Sequence, residues 1–191
     1  MGNDECHGSA RGFTLWFTGL SGSGKTTISE IVERELRERN VRVEVLDGDI
    51  VRTNLSKGLG FSRGDRDTNI LRIGFVAELL TRNGVAVVVS AISPYKGARD
   101  QVRRRIIDFV EILVDCPLEV CVERDKGLYE KALSGEIEHF TGVSDPYEPP
   151  EAPDIVLRTA QEEPEESARK VISKLEFFGY LEPVAEKVNL A

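Results

Sequence analysis

Eight residues, Gly19 to Thr26, read GLSGSGKT and sit between the apolar run FTLWFT, Phe13 to Thr18, and a stretch with helical spacing. A G-x-x-x-x-G-K-[ST] loop in that context works because glycines let successive backbone N–H groups turn inward around an anion, while the helix N-terminus adds its dipole. Gly19, Leu20, Ser21, Gly22, Ser23 and Gly24 are expected to wrap nucleotide phosphates, with Lys25 reaching the β- and γ-phosphates. Thr26 would give a hydroxyl to Mg²⁺. The expected cofactors are ATP and Mg²⁺; the competing reading is a merely glycine-rich turn.

The rest of the chain alternates in the manner such a loop requires. Ile28, Ile31, Val32 and Leu36 recur at helical spacing between Lys25 and Arg39. Val41 to Leu46 reads as a strand ending in Asp47-Gly48-Asp49, Asp65 to Arg82 as a long helix stopped by Asn83-Gly84, and Val85 to Val89 as a strand buried on both faces. Arg99 to Ile107 reads as a helix, Phe109 to Val114 as a strand, Leu118 to Arg124 as a short helix, Asp154 to Leu157 as the last strand and Pro164 to Phe178 as an acidic-started helix. This βα alternation predicts an α/β fold: a P-loop NTPase-type parallel β-sheet with helices on both faces, a lid segment, and functional residues at the carboxyl ends of the strands. With 191 residues and 40% hydrophobic content, one domain is expected at 12–182, with a flexible N-terminal tail at 1–11 and a C-terminal tail at 183–191.

Charge and cysteine usage exclude several function classes. Lysine and arginine total 25 against 33 aspartate and glutamate, a net charge of -8, so no global positive field exists to hold a nucleic acid. A few convergent arginines can still bind a small anion. Cys6, Cys116 and Cys121 form no C-x-x-C pair, and His7 and His139 lie far apart, which argues against a structural zinc site. Cys116 and Cys121 read as small buried residues. No run approaches the roughly 18 apolar residues of a membrane span, and the polar start lacks an export signal, so no membrane association and a cytoplasmic location are expected.

Four features could serve an acceptor. Asp47 and Asp49 end a strand beside the phosphate loop, where a carboxylate can take a hydroxyl proton or hold a metal-bound water; Asp47 is the choice for the base, against the reading of an acidic solvated turn. Arg52, Arg63 and Arg66 follow, with Asn69 one helical turn beyond Arg66; arginine forks suit phosphate and sulfate groups, although a solvated basic face has the same composition. Phe61, in GLGFS, stands outside any apolar periodicity and could stack on a base. Lys126 to Thr141, KGLYEKALSGEIEHFT, has the glycines, cations and Phe140 of a lid that excludes water, or of a plain surface excursion.

From Phe13 to Leu181 the chain closely resembles adenylylsulfate kinases. The resemblance rests on GLSGSGKTT, DGD followed by Arg52, GLGFS-x-x-DR-x-x-N, SAISPY, KGLY-x-KA and GEI-x-x-FTG-x-x-DPYE. It implies transfer of the ATP γ-phosphate to the 3′-hydroxyl of adenosine 5′-phosphosulfate, by a homodimer. It implies nucleotide contacts extending to Thr27, Asp47 orienting or deprotonating the hydroxyl, and Asp49 helping the metal shell. Arg52, Arg66 and Asn69 would hold the phosphosulfate and ribose, Phe61 and Phe140 would sandwich the adenine, and Ile92 and Lys126 would join the substrate site. Ser93 matches a serine that the family associates with a phosphoserine intermediate. Direct in-line transfer needs no enzyme nucleophile, and the alternative is that Ser93 and Ile92 shape the pocket through their backbone.

Two departures from the family pattern stand out. Ile50 is apolar where a polar residue usually follows the aspartate pair, and Arg124-Asp125-Lys126-Gly127 is one residue shorter than the usual start of the lid. Competing functions are a P-loop kinase for another small hydroxyl acceptor and a nucleotide-binding regulatory module.

Overall fold

The computed structural model describes residues 11–183. The chain runs β1 (Phe13–Thr18), α1 (Lys25–Glu38), β2 (Val43–Asp47), α2 (Gly48–Asn54), α3 (Arg63–Thr81), β3 (Ala86–Ser90), α4 (Lys96–Arg105), β4 (Phe109–Asp115), α5 (Leu118–Arg124), α6 (Lys126–Leu133), β5 (Ile155–Arg158) and α7 (Pro164–Phe177). Five strands form one sheet in the order β2-β3-β1-β4-β5, and every neighbouring pair is parallel.

Because side chains alternate along a strand, β1 feeds two cores. Phe13, Leu15 and Phe17 face Ile28, Val32 and Leu36 of α1 and Val171 and Leu175 of α7. Trp16 faces the other way, among Ile70, Ile73 and Ala77 of α3 and Val102 of α4. Helices therefore cover both faces, and β1 and β3 are buried throughout. At Gly74 a Cβ would stand 2.5 Å from Val102 Cγ2, so the close approach of α3 to α4 requires glycine there.

The expected elements are present, β1 and α5 with the expected ends and the others shifted. α1 stops where Asn40 takes a left-handed φ of 60° and the Val41 N–H reaches the Leu36 carbonyl at 3.0 Å, which delays β2 to Val43. α3 starts two residues early because Ser62 caps it: its Oγ accepts from the Asp65 N–H at 3.2 Å and donates to Asp65 Oδ2 at 2.6 Å. α2 was not foreseen; Asp47-Gly48-Asp49 is a helix start rather than a simple turn. Of the expected tails, 1–10 and 184–191 lie outside the described residues. Arg11, placed in the tail, instead donates from Nε to Asp108 Oδ1 at 3.1 Å and lies 4.9 Å from the Tyr180 ring centre.

Candidate active site

Above the carboxyl ends of β1, β2 and β3 lies a cleft of about 1110 Å³. Its donor side is the loop after β1. Gly22 adopts φ 72°, and a Cβ there would sit 2.8 Å from the Cys121 carbonyl, so the tight inward turn is open only to glycine. Ser21, Gly22, Gly24, Lys25, Thr26 and Thr27 line the cleft. Gly19, Leu20 and Ser23 do not: Gly19 and Ser23 are buried, and Leu20 packs on the cluster around Tyr129. The Lys25 ammonium donates to the Gly19 and Leu20 carbonyls at 3.0 and 2.7 Å. Burial lowers its pKa to about 8, against a smaller upward pull from Cys121, Asp49 and Asp47.

The loop is also braced from behind. Thr159 Oγ1 donates to the Ser23 carbonyl at 2.8 Å, and Arg124 Nη2 donates to the Thr159 carbonyl at 2.6 Å. The buried Tyr129 hydroxyl donates to the Ser21 carbonyl at 3.0 Å. Tyr129 meets Phe140 edge-on with ring centres 5.0 Å apart, so 126–141 packs on the phosphate loop through a small core of its own, together with Cys116 and Cys121. Both cysteines are buried and free, as expected.

The acceptor side combines the end of β2, α2, α3 and the turn after β3. Asp47 is the N-cap of α2: Oδ1 accepts from the Asp49 and Ile50 N–H groups at 2.9 and 3.2 Å. Oδ2 makes no hydrogen bond among the described residues, and Asp47, Asp49 and Arg52 all line the cleft. Phe61 is 54% exposed, with the Arg52 guanidinium 4.5 Å and the Arg66 guanidinium 5.5 Å from its ring centre. Phe140 is buried at the other wall. Both aromatics line the same cleft, with Arg66, Asn69 and Ile92.

Arg66 does more than face a ligand. Its Nε donates to the Phe61 carbonyl at 3.0 Å and its Nη2 to the His139 carbonyl, so one guanidinium ties together the two backbones that carry the aromatics. Burial pushes its pKa down, while Tyr95 and Asp145 pull it up. Tyr95 donates to Asp145 Oδ2; burial first, and this bond second, push its phenol up to about 12. Two cleft groups, Asn69 Oδ1 and Thr141 Oγ1, are buried without a hydrogen-bond partner among the described residues.

Ser93 also lines the cleft, with a left-handed φ of 48°. Its Oγ accepts from the Trp16 indole at 3.0 Å and lies 3.4 Å from the Ala91 carbonyl. Among the described residues, no carboxylate or imidazole hydrogen-bonds that hydroxyl. Lys126, expected at the substrate, is exposed at the start of α6 and does not line the cleft. The sequence assigns no role to Arg124, Thr141 or Thr159, although Arg124 stands at the start of the lid and Thr141 in the FTG block.

Residues 11–158 match the sequence family described as adenylylsulphate kinase. The chain belongs to that family. It is similar to the adenylyl-sulfate kinase of Rippkaea orientalis, 64% identical over 177 residues that span 92% of this chain and 98% of the relative. It is 62% identical over 173 residues to the probable adenylyl-sulfate kinase of Synechocystis sp., covering 90% of this chain and 98% of that one. Among solved structures it resembles the Mycobacterium tuberculosis APS kinase in complex with AMPPNP and APS, with TM-score 0.83, 47% identity, and coverage of 87% of this chain and 98% of that chain. Shikimate kinase from Aquifex aeolicus, at 17% identity and TM-score 0.54, shares the fold alone.

Proposed function

We propose that this chain is an ATP-dependent adenylyl-sulfate kinase, moving the γ-phosphate of ATP to the 3′-hydroxyl of adenosine 5′-phosphosulfate. The observation that carries the reading is that the phosphate loop, the Asp47 carboxylate and the Phe61/Phe140 pair line one cleft. The kinship to adenylyl-sulfate kinases at 64% and 62% identity selects this acceptor over those of other P-loop kinases.

In this reading the nucleotide's phosphates enter the nest of Ser21 to Thr26, and Lys25 exchanges its two backbone carbonyls for phosphate oxygens. The adenine of the acceptor sits between Phe61 and Phe140, with Arg52 and Asn69 toward its phosphosulfate and ribose. Asp47 Oδ2 takes the proton of the 3′-hydroxyl as the O3′–phosphorus bond forms and the bond to the ADP oxygen breaks. Ser93 shapes the wall and is not phosphorylated, because it has no base.

The donor set suits Mg²⁺. Thr26 and Asp49 offer hard oxygen ligands, and among the described residues no group of three or more His, Cys, Asp or Glu could hold a metal alone. An octahedral ion that takes one or two protein oxygens and completes its shell with phosphates and water fits that supply. When bound it neutralises charge on the β- and γ-phosphate oxygens. No helix among the described residues is long and apolar enough to cross a membrane. The assembly implied by the resemblance is a homodimer, which sedimentation equilibrium checks.

The deciding assay is ADP release from Mg-ATP with and without adenosine 5′-phosphosulfate. Release that depends on that acceptor, with a 3′-phosphorylated product, is expected. Slow release that the acceptor does not stimulate, beside rapid phosphorylation of a sugar or shikimate-like alcohol, would overturn the assignment. Nucleotide binding with no turnover on any acceptor would favour a regulatory module.

A further inference from the structure

Behind the acceptor wall lies a buried arginine that does not line the cleft. Arg99, on α4, is 1% exposed. Its guanidinium reaches three acceptors on three separate parts of the chain. Nε donates to Glu111 Oε1 on β4 at 3.1 Å, Nη1 to the Ser93 carbonyl after β3 at 2.5 Å, and Nη2 to the Glu148 carbonyl at 2.6 Å.

The two carbonyls belong to segments that otherwise meet edge to edge. The Glu148 N–H donates to the Pro94 carbonyl at 2.8 Å, and Glu148 Oε2 accepts from the Lys96 N–H at 2.8 Å. Tyr147 lies beneath, its ring centre 5.9 Å from the Arg99 guanidinium and its hydroxyl 3.0 Å from Thr18 Oγ1, which in turn donates to the Ile92 carbonyl at 2.7 Å. Ile92 and Ser93 form the cleft wall, and Asp145, three residues before Glu148, holds Tyr95 and faces Arg66 at 3.8 Å.

A buried ion pair is a weak source of stability, because desolvating two charges offsets most of their attraction, and well-packed apolar residues of similar volume can replace one at little cost. What such residues cannot supply is three directed donors in one plane. The left-handed backbone of Ser93 needs holding, since that conformation is unfavourable for a residue other than glycine. We infer that Arg99 is a positioning residue for the acceptor: with Glu111 fixing its plane, it locks the Ile92–Ser93 wall to the Asp145–Glu148 segment and so sets the acceptor pocket without touching the substrate.

This inference rests on the adenylyl-sulfate kinase reading, and its test separates the two. Arg99→Met/Glu111→Leu removes both charges together, and Arg99→Lys keeps a cation for Glu111 but cannot span the three acceptors. Wild type and both variants are compared for melting temperature, for KM toward each substrate and for kcat. Hydrogen bonds to charged groups are typically strong enough that loss of one matters about tenfold in binding. The expected result is a rise of about tenfold or more in KM for adenosine 5′-phosphosulfate in both variants, with KM for ATP within about twofold. The double variant should still fold but melt several degrees below wild type, because the Ser93 and Glu148 carbonyls lose their donor.

Unchanged acceptor KM in Arg99→Lys, or in a folded double variant, overturns the positioning role. So does an equal rise in both KM values, which would mark Arg99 as a general core residue. If the double variant fails to fold, Arg99→Lys alone decides. Absence of acceptor turnover in the wild type defeats the functional reading itself, a different result from normal turnover with unmoved KM.

Discussion

The two halves of the cleft are built on opposite terms. On the donor side the phosphate loop is held by its own protein: Thr159 on Ser23, Tyr129 on Ser21, and Lys25 turned onto Gly19 and Leu20. On the acceptor side Phe61 is 54% exposed, and Asn69 Oδ1 and Thr141 Oγ1, like Ser23 Oγ in the loop, are buried with no hydrogen-bond partner among the described residues. Buried polar atoms without partners are uncommon because each forfeits its hydration. The donor half is thus a mould braced by its own chain, in which one lysine must change partners, whereas the acceptor half presents an exposed ring and polar atoms that a ligand can engage. Affinity changes should therefore concentrate on the acceptor side, and rate changes where the two halves meet.

The sharpest break falls on Asp47, which belongs to both. Asp47→Asn should lower kcat by about a thousandfold, the scale of a lost general base, while the melting temperature holds, since asparagine caps a helix as well as aspartate. Asp47→Ala should lose the rate and also about 1 kcal/mol of stability through the missing cap. Coupled ADP release and thermal melts on the pair check this; an active Asp47→Asn removes the residue as base.

Lys25→Ala should cut kcat by about a hundredfold or more, because its charge belongs to the transferring phosphate. The KM for adenosine 5′-phosphosulfate should stay within about threefold. Phe61→Ala should do the reverse, raising that KM about tenfold with little change in kcat or melting temperature, since the ring is already exposed. Comparable effects of the two variants on acceptor KM would erase the distinction between the halves.

Ser93→Ala should keep kcat within about threefold while losing about 1–2 kcal/mol of stability, because the buried Trp16 indole loses its acceptor. Rapid-quench detection of a phosphorylated Ser93 would contradict this.

The smallest effect concerns the lysine's change of partners. Its native pKa, lowered by burial to about 8, lies below its ordinary value of 10.5, so the unfolded chain holds more protons between those values. Stability should rise with pH through that window, as the cost of burying the charge is relieved. Phosphates raise the pKa again, so ATP binding at pH 8 should take up about half a proton. Calorimetry in buffers of different ionisation enthalpy reads this uptake, and Lys25→Ala should abolish it.

The donor half and the sheet were legible from the sequence because their signals are local: a fixed glycine spacing, an apolar run, a helical period. The acceptor half was legible as a set of residues and less so as a geometry. α2 was hidden because Asp47-Gly48-Asp49 satisfies the rules for a turn as well as those for a capped helix start, and only the two N–H groups on Asp47 Oδ1 decide. The family resemblance makes Arg66 a ligand for the substrate. Its bonds to the Phe61 and His139 carbonyls join positions 73 residues apart from donor to farther acceptor, which no spacing rule reveals. The Asp-Pro-Tyr-Glu block was recognised without a role for the same reason: its partners, Tyr95, Lys96 and Arg99, lie on another element.

The strand register of this sheet has a metrical consequence. Asp47 pairs with Ser90 on β3, and Ser90 pairs with Phe17 on β1, just before the phosphate loop. The backbones of Asp47 and of the loop's root therefore stand two strand intervals apart, about 10 Å at the usual spacing of a sheet. Hydrogen bonds between peptides thus fix the frame from which the carboxylate and the loop reach toward each other.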